Sequence, residues 1–319
     1  MAYSAGDTIL DDEYNNFVNK SSSPVGLNTM AGTGSGTLGL GQSAIATVSA
    51  GDTINASSWN ALFTGITAVA GHTADTMTSR SAVSAGDAIA IKAAVAADLA
   101  TLAASIAAGC PNTTRLTTSS ALQSPASSST WTGSFTTEVS ATFANADKMR
   151  HFFNAGGKIR IDPIRVGNGG EGGASGSDSA WDNLNNAVGN FDIKQTACTR
   201  SGSGETQDTF ASTTGFHDLG TGYTTLLQLS DDSYPYTANN IKIEAKINAA
   251  VGSATVMTIK TTATDGKTEF TYNDGSADNQ AYRNGQHQHR LISINTTTGG
   301  GLANAYAPSG TSTVSNSTS

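Results

Sequence analysis

Trp59, Leu62, Phe63, Ile66 and Val69 recur at three- and four-residue spacing, the period that lines one face of an α-helix with apolar side chains. Asn55, Ser57 and Ser58 come just before this stripe and Gly71 just after it. The pattern therefore predicts a helix entered from a capping turn and stopped at the glycine. Val95, Leu99, Leu102 and Ile106 form a second stripe that ends at Gly109, with Pro111 beyond. A shorter one, Tyr14, Phe17 and Val18, follows Asp11 and Asp12.

The same letters introduce each stripe. SAGDTI stands at Ser4–Ile9 and again at Ser49–Ile54, and SAGDAI at Ser84–Ile89. Aligning the first two copies places Tyr14 over Trp59, Asn15 over Asn60, and Phe17 with Val18 over Leu62 with Phe63. Ala-Gly-Asp reads as a tight turn, because glycine permits positive φ and aspartate bonds to its own backbone. Each copy is thus a turn followed by a helix too short to bury its stripe alone. The modules are expected to pack on one another or on other copies of the chain, with Tyr14, Phe17, Trp59, Leu62, Phe63, Leu99 and Leu102 as the interface.

Residues 112–130 are rich in Thr, Ser, Pro and Leu without a period and predict a linker. Beyond it the period becomes two: Trp131, Phe135, Val139, Ala141 and Phe143 fall largely on one face of a strand. NADKMRHFFNAGG predicts a short helix capped by Asn145, with Met149, Phe152 and Phe153 inward and Gly156–Gly157 at its end. KIRIDPIRV predicts a strand whose Pro163 argues for an edge or a bend. SAWDNLNNAVG, after a Gly-rich loop, predicts a second helix on Trp181, Leu184 and Val188. NFDIKQTACT, GFHDL, YTTLLQLS, NIKIEAKI, ATVMTIKTTATDG and RLISIN read as strands, parted by turns at Asp231-Asp232, Asn239-Asn240, Asp265-Gly266 and Asp274-Gly275. The tail from Thr296 is Gly/Ser/Thr-rich, so it is expected either to be disordered or to form a strap ordered by a neighbour. The expected fold is α+β and mainly β: small N-terminal turn-helix modules, then an antiparallel β-sandwich with two short helical insertions. The expected regions are 1–111, a linker 112–130, a sandwich 131–295 and a tail 296–319.

Composition narrows the function. Of 319 residues only 13% are charged, about half the roughly 25% of an ordinary soluble domain. A formal charge of −8 without any Lys/Arg run removes the counterion-release term on which nucleic-acid binding rests. The N-terminus has neither a basic start nor an apolar stretch, and no Ala-rich segment is long or apolar enough to span a bilayer. We therefore expect synthesis in the cytoplasm without a signal peptide, no membrane insertion and no nucleic-acid partner. Cys110 and Cys198 could form one bridge, which their spacing neither supports nor excludes; two free thiols are expected of a chain made in the cytosol, and no CxxC pair offers a redox or zinc site.

Chemistry is thinly represented. Gly34, Gly36 and Gly39 fit a formal GxGxxG, but they lack the preceding strand and the acidic partner of a dinucleotide site, so a flexible linker is expected there. His287 and His289 are two apart, which on a strand points both imidazoles to one face; three chains around an axis could present six to a metal ion. The competing reading is a polar turn beside RLISIN. Carboxylates fall mainly in turns, and no nucleophile elbow or assignable triad exists, so no enzyme activity and no cofactor are expected. Tyr223, Tyr234, Tyr236, Tyr272 and Tyr282 lie in or near predicted loops, where a ring face could stack on a sugar.

One stretch carries a family likeness. Arg150-His151-Phe152-Phe153-Asn154-Ala155-Gly156-Gly157, followed by Lys158-Ile159-Arg160-Ile161, resembles a motif of virion structural proteins of tailed bacteriophages, in neck, tail or appendage components. The Trp181/Leu184 helix and the YTTLLQL and NNIKIEAKIN segments follow in the order those proteins show, so the likeness spans about Trp131 to Asn295. The AGDTI modules with Tyr14-Asn15 and Trp59-Asn60 are similar to elements of the same kind of protein. The resemblance implies a place in the virion and assembly without catalysis. Its implied partners are copies of the chain, a trimer being favoured for an appendage, and other virion proteins. The alternative it leaves is a receptor-binding tail fibre or tailspike module that takes a host-surface glycan.

Overall fold

The computed structural model describes residues 11–34, 36–87, 92–110, 116–126, 133–166, 176–234, 236–266, 270–271, 277–278, 286–296 and 308–317. The chain divides into two compact units. The first comprises Met1–Thr117, Arg150–Gly157 and Asn295–Tyr306, and the second comprises Thr118–Met149, Lys158–Ile294 and Ala307–Ser319. This division departs from the expected boundaries, because the RHFFNAGG stretch belongs with the N-terminal modules.

Among the described residues, four helices lie wholly in the first unit: α1 (Asp11–Asn19), α2 (Leu27–Ala31), α3 (Ala56–Thr73) and α4 (Lys92–Ala107). Asn55 caps α3 by accepting the Ser58 N–H at 3.1 Å, as the cap-rich entry predicts. α3 runs through Gly71 to Thr73 and ends where Ala74 turns left-handed at φ 63°. A glycine inside a helix costs only about 1 kcal/mol, and the residues around it, Ala70, His72 and Thr73, are themselves buried. α4 ends as its sequence predicts: Cys110 N–H reaches Ser105 O and Gly109 N–H reaches Ile106 O, with Gly109 at φ 82°.

Between the helices, the repeated letters form one repeated turn. Asp52 N–H donates to Ser49 O at 3.0 Å while Ser49 N–H donates to Asp52 Oδ2 at 3.2 Å. In the next copy, Asp87 N–H to Ser84 O is 3.1 Å and Ser84 N–H to Asp87 Oδ2 is 2.7 Å. Gly51 (φ 88°) and Gly86 (φ 93°) take the left-handed third position that this turn requires. The first copy, at Ser4–Ile9, lies outside the described residues.

Asparagines fasten these turns to the helices. Asn15 of α1 donates through Nδ2 to Val48 O (2.8 Å) and accepts the Val48 N–H through Oδ1 (3.0 Å). Asn60 of α3 treats Val83 in the same way, at 3.0 and 2.9 Å. Val48 and Val83 each stand immediately before a Ser-Ala-Gly-Asp turn, so each helix grips the entry to the following module. The third copy has Val95 where the first two have asparagine, and there the series of clamps stops. Asn28 of α2 grips Ile45 likewise, at 2.8 and 2.9 Å.

The second unit contains two sheets. One has the order β1 (Leu116–Gln123), β12 (Gln286–Thr296), β3 (Lys158–Val166), β4 (Phe191–Ile193), β5 (Cys198–Arg200). The other runs β13 (Ser309–Ser317), β2 (Ser134–Thr142), β9 (Val256–Thr264), β8 (Asn240–Ile247), β7 (Thr224–Ser230), β6 (Thr206–Phe210). A two-stranded ribbon pairs β10 (Phe270–Thr271) with β11 (Ala277–Asp278). Every recorded register is antiparallel. The expected α+β, mainly β fold with sandwich-like sheets is therefore present. Both helical insertions are also present, as α5 (Ala146–Asn154), capped by Asn145, and α6 (Gly176–Val188), which packs on β3. Between the sheets lie Phe135, Val139, Ile161, Phe191, Ile243, Ile259 and Leu291, all without exposed surface, and Trp181 and Leu184 of α6 are equally covered. Trp131, expected in this core, lies outside the described residues.

Three expectations change. The supposed linker holds β1, and the supposed loose tail holds β13, which pairs with the chain's own β2 from Ser309↔Thr142 to Ser317↔Ser134. Both are edge strands rich in Ser and Thr, so they carry little of the apolar alternation that marks a half-buried strand. GFHDL is a 3-10 turn at Phe216–Asp218, held by the Gly215 N–H on Asp218 Oδ2 (2.9 Å). Pro163 does not lie on an edge strand, since β3 sits between β12 and β4, but the ladder around it leaves room for a proline. Its partner His289 donates its N–H away from it, to Pro125 O, and the pairing with β4 ends at Ile161, so no ladder bond needs the missing proline N–H.

The clamp on Val83 leaves two backbone groups without partners when its amide is removed. Asn60→Ala should destabilise the first unit by about 1–3 kcal/mol, read as a lower denaturant midpoint at unchanged m-value. An effect within about 0.3 kcal/mol would show that the clamp is not a stabilising contact.

Candidate functional site

The seven side chains expected at an interface sit together inside the first unit. Tyr14, Trp59, Leu62, Leu99 and Leu102 are at most 2% exposed, and Phe17 and Phe63 at most 8%. Trp59 is the hub, with Tyr14, Phe17 and Phe63 rings at 5.6, 6.1 and 5.9 Å. The stripes therefore cover one another within a single chain, the first of the two alternatives their periodicity allowed. As a docking face toward other copies the seven are corrected, because no apolar surface of theirs remains to be covered.

The RHFFNAGG stretch organises the glycine segment of the same unit. Asn154 Nδ2 lies within hydrogen-bond reach of three carbonyls, Gly36 O (3.2 Å), Leu38 O (2.7 Å) and Gly39 O (3.2 Å). Arg150 donates to Thr33 O at 3.2 Å. Backbone N–H groups of Gly39, Leu40, Gly41 and Gln42 donate to carbonyls of residues 30–32, so they are occupied and not aimed at a phosphate. Gly34 passes so close to Thr29 that a Cβ would lie 1.8 Å from its carbonyl oxygen. The formal GxGxxG is thus a packed crossing, and the flexible linker expected for its described residues is corrected. Gly156 closes α5 at φ 88°, with Gly157 N–H on Phe152 O and Gly156 N–H on Phe153 O, as expected for its end.

The histidine pair lies in the second unit. His287 and His289 do share one face of β12, but that face is the sandwich interior and both are fully covered. His289 Nδ1 is 2.8 Å from Thr137 Oγ1 on β2, and its ring lies 5.0 Å from Phe135. His287 lies edge-on to Trp181 at 5.2 Å. Neither imidazole can face a symmetry axis, so the metal role read from their spacing is corrected. Burial, reinforced by His287, pushes the His289 pKa down to about 3.

The thiols are equally enclosed. Cys110 and Cys198 are both free and buried, and they belong to different units. Burial pushes each up to about 12, and Asp75 adds to the effect at Cys110. That is the opposite of an activated nucleophile.

Of the five tyrosines, Tyr272 and Tyr282 lie outside the described residues and Tyr236 is buried. Tyr223 is engaged: Lys246 and Lys260 ammoniums stand 4.3 and 4.1 Å from its ring centre, and its hydroxyl donates to Glu138 at 2.7 Å. Burial, then that carboxylate, holds its pKa well above the ordinary value. Tyr234 is 76% exposed and is the large hydrophobic side chain that stands out from the described surface. Among the described residues no helix is long and apolar enough to cross a membrane. No family model, curated protein or solved structure matches the chain.

Two measurements follow from these burials. An unfolded histidine titrates near 6.5 and His289 near 3, so between those values the unfolded chain binds a proton that the native chain refuses. The neutral ring's contribution is complete above about pH 6.5 and is lost as pH falls toward 3, at a limiting slope of about 1.4 kcal/mol per pH unit. Urea midpoints at pH 7 and pH 5 should therefore differ more for the natural chain than for His289→Gln; equal differences would refute the assignment. A thiol reagent at pH 8 should modify neither cysteine in the native protein and both after denaturation.

Proposed function

We propose that the chain is a structural component of a tailed-phage virion, a neck, tail or appendage protein that works by assembly. The observation that supports this reading is the use made of the residues carrying the likeness. Phe152 and Phe153 fill a core, Asn154 gathers three carbonyls, Arg150 holds Thr33 O, and Gly156 ends the helix. Each is spent on holding chain segments together, which is the work of a scaffold. The reactive side chains we located, Cys110, Cys198 and His289, are enclosed in protein with their charged forms disfavoured. A chain with 13% charged residues offers a neutral, hydroxyl- and amide-rich surface for packing against other virion proteins.

Because the apolar stripes are covered internally, assembly falls to polar surface, and it need not expose any stripe before docking. A second reading, glycan recognition by a tail fibre or tailspike, is favoured by exposed Tyr234, whose ring could stack on a sugar.

Quantitative mass spectrometry of purified particles of the encoding virus, beside the native mass of the isolated protein, tests the assignment. We expect a fixed copy number per particle and a homo-oligomeric mass, a trimer for an appendage. Absence of the chain from intact particles would overturn the virion role. Tyr234→Ala abolishing binding to a glycan array would favour the second reading.

A further inference from the structure

Asp231-Asp232 reads in sequence as a turn, and Asp231 does serve one, accepting the Ser233 N–H through Oδ1 at 2.7 Å. The ladder adds a third acid. β6 pairs with β7 so that Thr206 faces Ser230, which brings Glu205, just before β6, beside Asp231, just after β7. Glu205 Oε2 accepts the Asp232 N–H at 2.8 Å, tying the two loops together. One carboxylate oxygen from each of Glu205, Asp231 and Asp232 lies within 4.8 Å of the others. Among the described residues, none of the three has a Lys or Arg ion pair.

A separate observation points to a ligand. Asp231 is only 2% exposed, and its second oxygen, Oδ2, is buried without a hydrogen-bond partner. A carboxylate oxygen withdrawn from water costs several times what an exposed one does unless something positive meets it. Here its carboxylate neighbours are two more negative groups.

We propose that Glu205, Asp231 and Asp232 bind a calcium ion at the loop end of the six-stranded sheet. The donor set is all hard oxygen, with no nitrogen or sulfur, which suits calcium or magnesium and not zinc. Calcium tolerates an irregular shell of six to eight oxygens, whereas magnesium demands near-octahedral geometry. Asp232 is exposed, so water can reach the site and complete the shell. Bound there, the cation would satisfy the buried Asp231 oxygen and lock the loop before β6 to the β7–β8 turn. This site is independent of the proposed virion role, since it rests on other residues.

The test is calorimetric titration of the full chain with calcium chloride after dialysis against EDTA, beside thermal melts in calcium, magnesium and EDTA. We expect a dissociation constant between about 10⁻⁴ and 10⁻³ M, the range of weak extracellular calcium modules, and a melting temperature that rises with calcium. Glu205→Gln and Asp232→Asn should each weaken binding at least ten-fold. In EDTA both variants should melt at or above the natural chain, because each removes one of three repelling charges; this separates loss of the site from loss of the fold. No heat and no melting shift up to about 10 mM calcium would overturn the proposal. So would unchanged affinity in both variants, or an equal response to magnesium.

Discussion

A carboxamide that meets one residue's N–H and C=O at once holds the irregular part of this protein in place. Among the described residues, the long segments between the helices of the first unit pair with no strand, yet they cross a core whose members, such as Leu40 and Trp59, are almost fully buried. Backbone groups there need partners or cost about 1–3 kcal/mol each. Asparagine supplies a donor and an acceptor from one planar group, and Asn15, Asn28 and Asn60 each do so for a single residue. Asn154 adds a donor toward three carbonyls. None of these fastenings requires a charge, which agrees with a chain that carries few.

Where the protein does bury charge, it pairs it. Arg80 meets Asp98 with both side chains nearly covered; Asp98 also accepts from Thr78, and the guanidinium lies over Phe63. In the second unit Arg160 grips Asp192 through two nitrogens, at 2.6 and 3.0 Å, and Arg165 grips Asp182 at 2.8 and 2.6 Å. Forked pairs of this kind fix orientation as well as energy. The acidic group at Glu205, Asp231 and Asp232 departs from the pattern, and that departure gives the trio its interest.

Periodicity revealed what depended on periodicity. The stripes of α3 and α4, the alternation of β2 and β9, and the caps at Asn55 and Asn145 could be read because one face of each element is apolar or one residue type suits one position. β1 and β13 escaped because edge strands of Ser and Thr bury little, so hydroxyl-rich composition masks a strand as a linker. The repeat was visible, but its fastening was not: Asn15 and Asn60 were matched as letters, while their bond to the valine before the next turn spans 33 and 23 residues. The same limit applied to the acids. Asp231-Asp232 is local, and only strand register brings Glu205 to it. His287 and His289 were correctly given one face, but spacing carries no information about whether that face meets solvent or a second sheet.

Internal coverage of the stripes bears on how such a protein can be stored and then used. A module that hides Trp59 and its neighbours against its own chain leaves no part of these described stripes to drive association. On the proposed assembly role, polar contacts would join it to partners; such contacts are individually weak, and their strength comes from number and from fixed geometry. Fixing the geometry of loops is what a weak cation site contributes. At an affinity of about 10⁻⁴ to 10⁻³ M, such a site stays empty at the calcium levels cytosolic sensors respond to and fills at extracellular ones. On the proposed virion role, the loop before β6 and the β7–β8 turn would be joined by the Glu205–Asp232 hydrogen bond alone during synthesis and by the cation as well after release, which places the more firmly held form where a particle must survive outside a cell.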